Sequence, residues 1–146
     1  MRADEDPIIV EESFEKDLDT VWKAITETEQ MREWLFENIP EFKTEVGFEI
    51  EFDVDAGERT FTHQWKITRA IPKKVVEYNW RYGDYPGDSF VTFELMEKNS
   101  STKLRLTHVT TEDLPEEVQE FKRESCLSGW QYFIKERLKE YLKDVE

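Results

Sequence analysis

The chain has 146 residues, a formal net charge of −14 at pH 7 and a charged fraction of 37%. One domain of this length buries roughly 70% of its unfolded surface, so it can build a core without disulfides or metals. The acidity repels phosphate backbones and anionic membranes, which argues against nucleic acid as a partner. The basic candidates are Lys73-Lys74 and the cations between Lys135 and Lys143, and the latter alternate with acids as pairs on a helix face. The single cysteine, Cys126, excludes an intramolecular disulfide and suits a reducing compartment. Residues 1–6 lack the apolar run of a signal peptide, and no segment approaches the roughly 20 apolar residues that span a bilayer. A cytoplasmic protein without membrane insertion is expected.

In chain order, residues 1–6 are polar and expected to fray. Residues 8–14 read as a first strand. Asp17 or Asp19 can cap a helix running to about Glu27, with Leu18, Val21, Trp22 and Ile25 at helical spacing. Thr28 is placed to cap a second short helix carrying Met31, Trp34 and Leu35, with Pro40 as its stop. Phe48, Ile50, Phe52 and Val54 then alternate with Glu49, Glu51, Asp53 and Asp55. Four further runs keep the same period of two: residues 61–68, Val76/Tyr78/Trp80, Val91/Phe93/Leu95 and Leu104/Leu106. Successive strand side chains face opposite ways, so the pattern describes a sheet with one wet face and one aromatic-rich buried face. The turns between these runs are short, which predicts an antiparallel meander. From Leu114 the period becomes helical. Pro115 suits a first helical position, and a stripe runs through Val118, Phe121, Trp130, Ile134, Leu138 and Tyr141. Gly129 within it predicts a kink or a close approach of backbone to the sheet. The architecture is α+β, a single domain over 1–146 with its core at about 8–142.

His63 and His108 are the only histidines, and both fall on the inner face of their strands. A histidine in a cavity can orient a ligand or move a proton; a buried histidine hydrogen-bonded to a neighbour is the alternative. Metal sites need three or four convergent ligands, and two histidines with one cysteine in no ligating spacing fall short. The Glu49/Glu51/Asp53/Asp55 ladder alternates with apolar residues and so describes a solvated strand face. Cys126, in a proposed helix interior, has no obvious cationic neighbour in the core to support a thiolate, and no GxSxG, phosphate-loop or dinucleotide glycine motif is present. No metal and no cofactor is expected. Trp65, Tyr78, Trp80, Phe93, Trp130 and Phe133 put large rings between sheet and last helix. Ligand sites are apolar clefts with a few polar groups. With His63 and His108, these rings form the candidate ligand-binding set.

Linked motifs resemble a known family. Val21, Trp22, Ala24, Ile25, Thr26 and Trp34 fill a Val-Trp, Ala-Ile-Thr, second-Trp pattern in the first two helices. Gly47-Phe48, Ile71-Pro72 with Val76/Tyr78/Trp80, Ser89 with Val91/Phe93/Leu95, Thr102/Leu104/Leu106/His108 and Gly129-Trp130 follow in order. Together they resemble the START-like (helix-grip, Bet v 1-like, SRPBCC) superfamily and, within it, domains related to the heat-shock protein 90 ATPase activator. Asp17-Leu18 replaces a proline usual before the first helix, Gly47 stands where a glycine pair is usual, and Asn99-Ser100-Ser101 replaces a glycine-rich turn. These departures fall in turns. The resemblance implies a helix-grip fold of order β-α-α-β-β-β-β-β-α, with the sheet wrapped around a long C-terminal helix. It also implies a family of lipid and polyketide binders, cyclases, resistance proteins and chaperone cofactors. The leading expectation is a binding module that carries or sequesters a small hydrophobic molecule between sheet and last helix. A cyclase or hydrolase using the same cavity through His63 or His108 is one rival, and a chaperone-cofactor-like domain that binds a protein partner is the other.

Overall fold

The computed structural model describes residues 1–145. Strand β1 (Ile8–Phe14) leads into helices α1 (Leu18–Thr26) and α2 (Thr28–Trp34). Five strands follow: β2 (Glu49–Ala56), β3 (Arg59–Ile71), β4 (Val75–Tyr82), β5 (Asp88–Lys98) and β6 (Ser101–Glu112). They form one six-stranded antiparallel sheet of order β1-β6-β5-β4-β3-β2, the expected meander with β1 added beside β6. The chain closes with α3 (Arg123–Gln131), a stretch of wider π-type turns over Tyr132–Leu138, and α4 (Lys139–Lys143). Backbone angles at the two junctions stay right-handed helical, so 123–143 is one long helix. The helix-grip fold expected from the resemblance is the fold observed.

Local chemistry explains several element ends. Asp17 accepts from the Thr20 amide at 2.9 Å and starts α1, as a capping carboxylate should. At the β5–β6 turn Asn99 takes φ 59°, a left-handed value that asparagine tolerates, which is how a turn without glycine is made. Gly87 has φ +115° and packs against the Asp113-Leu114 backbone, where any Cβ would sit 2.8 Å from the Asp113 carbonyl oxygen.

Four expectations are corrected. The start of the chain does not fray: Met1 is buried, its amino group donates to the Phe121 carbonyl, and its own carbonyl accepts from Leu114 N at 2.9 Å. The last helix begins at Arg123, not Pro115, because residues 113–121 are used in that docking and end in a 3-10 turn at Gln119–Phe121. Helix α2 ends at Trp34, well before Pro40. Arg32 then reaches over the exit to donate to the Ile39 and Pro40 carbonyls, both at 2.7 Å. Thr28 caps no helix; its hydroxyl instead accepts from Phe42 N at 2.9 Å and ties down the loop before β2.

The sheet alternates as expected, with two slips, one at the start of β5 between Asp88 and Ser89 and one at Thr68 on β3. There the register shifts, and the hydroxyl turns to Glu77 on the wet face at 3.0 Å. The inner faces of all strands join α1, α2 and the last helix in one apolar cluster. Cross-strand pairing places Trp65 beside Trp80, His63 beside Tyr82, and Val91 beside His108. The concave face therefore carries a band of rings that points at the last helix.

Candidate functional site

The band has two parts. Trp65, Tyr78 and Phe93 sit in a packed stack. The Tyr78 ring lies 4.9 Å from Trp65, 6.0 Å from Phe93 and 5.7 Å from Phe42 of the α2–β2 loop. Burial raises the Tyr78 hydroxyl far above its ordinary range. All three are buried in the apolar cluster, and none of them is among the residues that line the cavity of the second part.

The second part surrounds a cavity. Phe36, His63, Trp80, Tyr82, His108, Cys126, Gly129, Trp130 and Phe133 line about 120 Å³ between sheet and helix. Of the eight expected ligand-binding residues, the fold thus gathers His63, Trp80, His108, Trp130 and Phe133 around one space. Phe36 was missed because it follows the end of α2 in a stretch with no periodicity. Tyr82 continues the β4 alternation one step beyond Trp80, and Cys126 and Gly129 share a helix face with Trp130 and Phe133. Those signals were available.

The two histidines stand in different chemical states. The Trp130 Nε1–H donates to His108 Nδ1 at 3.0 Å, and His108 Nε2 meets the Ser89 hydroxyl at 3.0 Å. Ser89 Oγ itself donates to the Trp80 carbonyl at 2.8 Å, so it accepts from His108 Nε2–H. Both ring nitrogens are occupied, and the imidazole is held neutral in one tautomer. Burial pulls its pKa down to about 3, since a charge there would lose its hydration. At His63, Nδ1 lies 3.1 Å from the Phe61 carbonyl and must carry the hydrogen. Burial lowers the pKa to about 4 against the pull of that carbonyl, leaving Nε2 a bare acceptor with no protein partner among the described residues. The indole nitrogens of Trp65 and Trp80 are sealed in without partners. The Cys126 thiol, near the Glu120 carbonyl at 3.5 Å, is raised to about 11 by burial, which favours the protonated thiol at neutral pH.

Phe36 lines the cavity. Its ring meets Phe133 edge-on at 5.3 Å and His63 at 5.2 Å. On its other side lies a surface groove of about 370 Å³ lined by Arg32, Asn38, Asp53, Asp55 and Arg137. The half-buried Phe36 thus lines both spaces. Larger hollows occur on the wet face of β2–β4 and beside β1, but charged residues line both. Among the described residues, no group of three or more His, Cys, Asp or Glu is placed to hold a metal ion. No helix among them is long and apolar enough to cross a membrane.

Residues 17–143 match the family model described as activator of Hsp90 ATPase homolog 1-like protein. The chain belongs to this family. No curated protein shows significant sequence similarity to it. Among solved structures, this activator-like chain is similar to protein MLL2253 from Mesorhizobium loti, with 23% identity, a TM-score of 0.77, and coverage of 97% of this chain and 99% of that one. It is also similar to the Aha1 dimer from Colwellia psychrerythraea, with 22% identity, a TM-score of 0.75 and coverage of 96% and 98%. A third likeness is to PFC0360w, an Hsp90 activator from Plasmodium falciparum, at 18% identity, a TM-score of 0.72 and coverage of 94% and 96%. At these identities the likeness carries the fold.

Proposed function

We propose that this activator-like domain binds a small apolar molecule in the cavity between the sheet and the last helix. The observation that supports the reading is the cavity itself: about 120 Å³, walled mostly by aromatic rings, with the partly exposed pair Phe36 and Phe133 in edge-on contact on its lining. A site of this size is well below the roughly 300 Å³ at which drug-sized pockets begin. It suits a guest near one aromatic ring, since an apolar cavity of about 150 Å³ admits benzene. Binding draws on apolar burial at about 25 cal/mol per Å². The histidine-driven enzyme reading is weakened at His108, whose two nitrogens are already engaged.

Toluene supplies the test. Saturable quenching of tryptophan fluorescence and a rising Tm with toluene concentration are expected, because a ligand of the folded state stabilises by mass action. No saturable response up to the solubility limit of toluene would reject the reading.

One feature supports a second role in binding a protein. Glu49, Glu51, Asp53 and Asp55 are all exposed on β2, at an open edge of the sheet. Such a ladder suits a basic surface, and capture of that partner should weaken steeply with salt.

A further inference from the structure

We infer that the guest carries a hydroxyl donor on a single ring, as a phenol does, and that its O–H donates to His63 Nε2. The inference rests on the cavity reading above and adds the chemistry of the guest.

Three observations support it. First, the Phe61 carbonyl can only accept, so the hydrogen of a neutral His63 sits on Nδ1 and the lone pair on Nε2. Second, His63 is 5% exposed and lines the cavity, yet Nε2 has no partner among the described residues and is not sealed off as the indole nitrogens of Trp65 and Trp80 are. Buried acceptors are normally paired by protein, water or ligand, and an accessible one on a cavity wall can accept from a guest donor. Third, the other imidazole on that wall is spent: His108 accepts from Trp130 and donates to Ser89.

The remaining wall dictates the rest of the guest. Around His63 stand Phe36 at 5.2 Å, Phe52 at 5.4 Å, Trp80 at 5.4 Å and Tyr82 at 4.9 Å. These are rings, which favour an aromatic body packed edge-on or offset. A cavity of about 120 Å³ leaves room for one such ring. Carboxylates fit poorly: no cation lines the cavity, and an unpaired anion buried there would keep its full desolvation cost.

Phenol, toluene and anisole separate the possibilities. Toluene has the shape of phenol without its hydroxyl, and anisole has the oxygen without the donor. Dissociation constants are measured by calorimetry for the intact protein and for His63→Leu, with the fold of the variant checked by thermal melting. The toluene-to-phenol ratio of dissociation constants should drop about tenfold in the variant, the worth of one good hydrogen bond, while toluene itself changes less than threefold. An equal ratio in both proteins, or anisole tracking phenol, overturns the donor inference and leaves the cavity reading standing. Failure of every arene to bind the intact protein overturns both. A readout that needs no variant is the Nε2 nitrogen resonance of His63, one of only two histidines. It should shift on saturation with phenol and stay put with toluene; no shift with phenol also overturns the inference.

Discussion

The indole N–H of Trp130 donates to His108 Nδ1 at 3.0 Å, and that bond joins the last helix to β6, the strand next to the β1 edge. Trp130 also meets Trp80 at 5.5 Å and Phe93 at 5.9 Å, both edge-on. Donor and ring can be separated by substitution. Trp130→Phe keeps an aromatic but leaves His108 Nδ1 unpaired, and should cost about 1–3 kcal/mol. Trp130→Ala loses the packing as well and should cost about 3–5 kcal/mol. Urea unfolding of both variants checks the order; equal stability of wild type and Trp130→Phe would deny the bond its role.

Stability should fall as the solution is acidified below about pH 6.5. The two buried histidines have folded pKa values of about 4 and about 3, below the ordinary 6.5. Their neutral state is favoured by folding, so this contribution is fully present above pH 6.5. It is lost progressively as pH drops toward 4 and then 3, because the unfolded chain takes up protons that the fold refuses. The slope can reach about 1.4 kcal/mol per pH unit for each histidine. Denaturant melts at pH 7.5, 6 and 5 should show the decline, and His63→Leu should flatten part of it. A flat profile across that range would contradict the neutral assignment.

Phe36→Ala should join the cavity to the outer groove. A half-buried ring lost here costs about 1–3 kcal/mol, and two-ring guests such as naphthalene should then bind. Cys126 lies on the same cavity wall, so its reaction with a thiol reagent at fixed pH should accelerate. Unchanged thiol reactivity in a folded variant would mean that Phe36 is not the closure.

Two glycines should respond in opposite directions. A Cβ on Gly87 would come 2.5 Å from Leu114 Cδ2 on a backbone at φ +115°, so Gly87→Ala should destabilise by about 1–3 kcal/mol. Gly129 would meet nothing within 4 Å. Of the kink or close approach to the sheet expected there, the close approach is absent, and Gly129→Ala should gain up to about 1 kcal/mol as a helix residue. Because Gly129 lines the cavity, the same change should weaken toluene binding. Thermal melts and titrations of the two variants decide both points.

The period of two in β2 to β6 put the inner-face residues in view before any coordinates, because one buried face enforces it at every second position. It could not separate Tyr78 from Trp80. Both point inward, and whether a ring meets core or empty space depends on what the loop and the last helix place opposite. Tyr78 meets Phe42, whereas Trp80 meets Trp130 across the cavity wall. Phe36 was invisible for the same reason: its position comes from the exit of α2, where Arg32 holds the chain through carbonyls of Ile39 and Pro40 that leave no side-chain pattern. The divergence of the histidines was hidden too, since it rests on Ser89 and Trp130, far from His108 in sequence.

The cavity is tested most directly by diffraction from a crystal held under xenon pressure. Xenon occupies dry apolar cavities and has no chemistry to confuse the result. The account predicts a xenon atom enclosed by His63, Trp80, Trp130 and Phe133. A well-ordered map with no xenon there would contradict it.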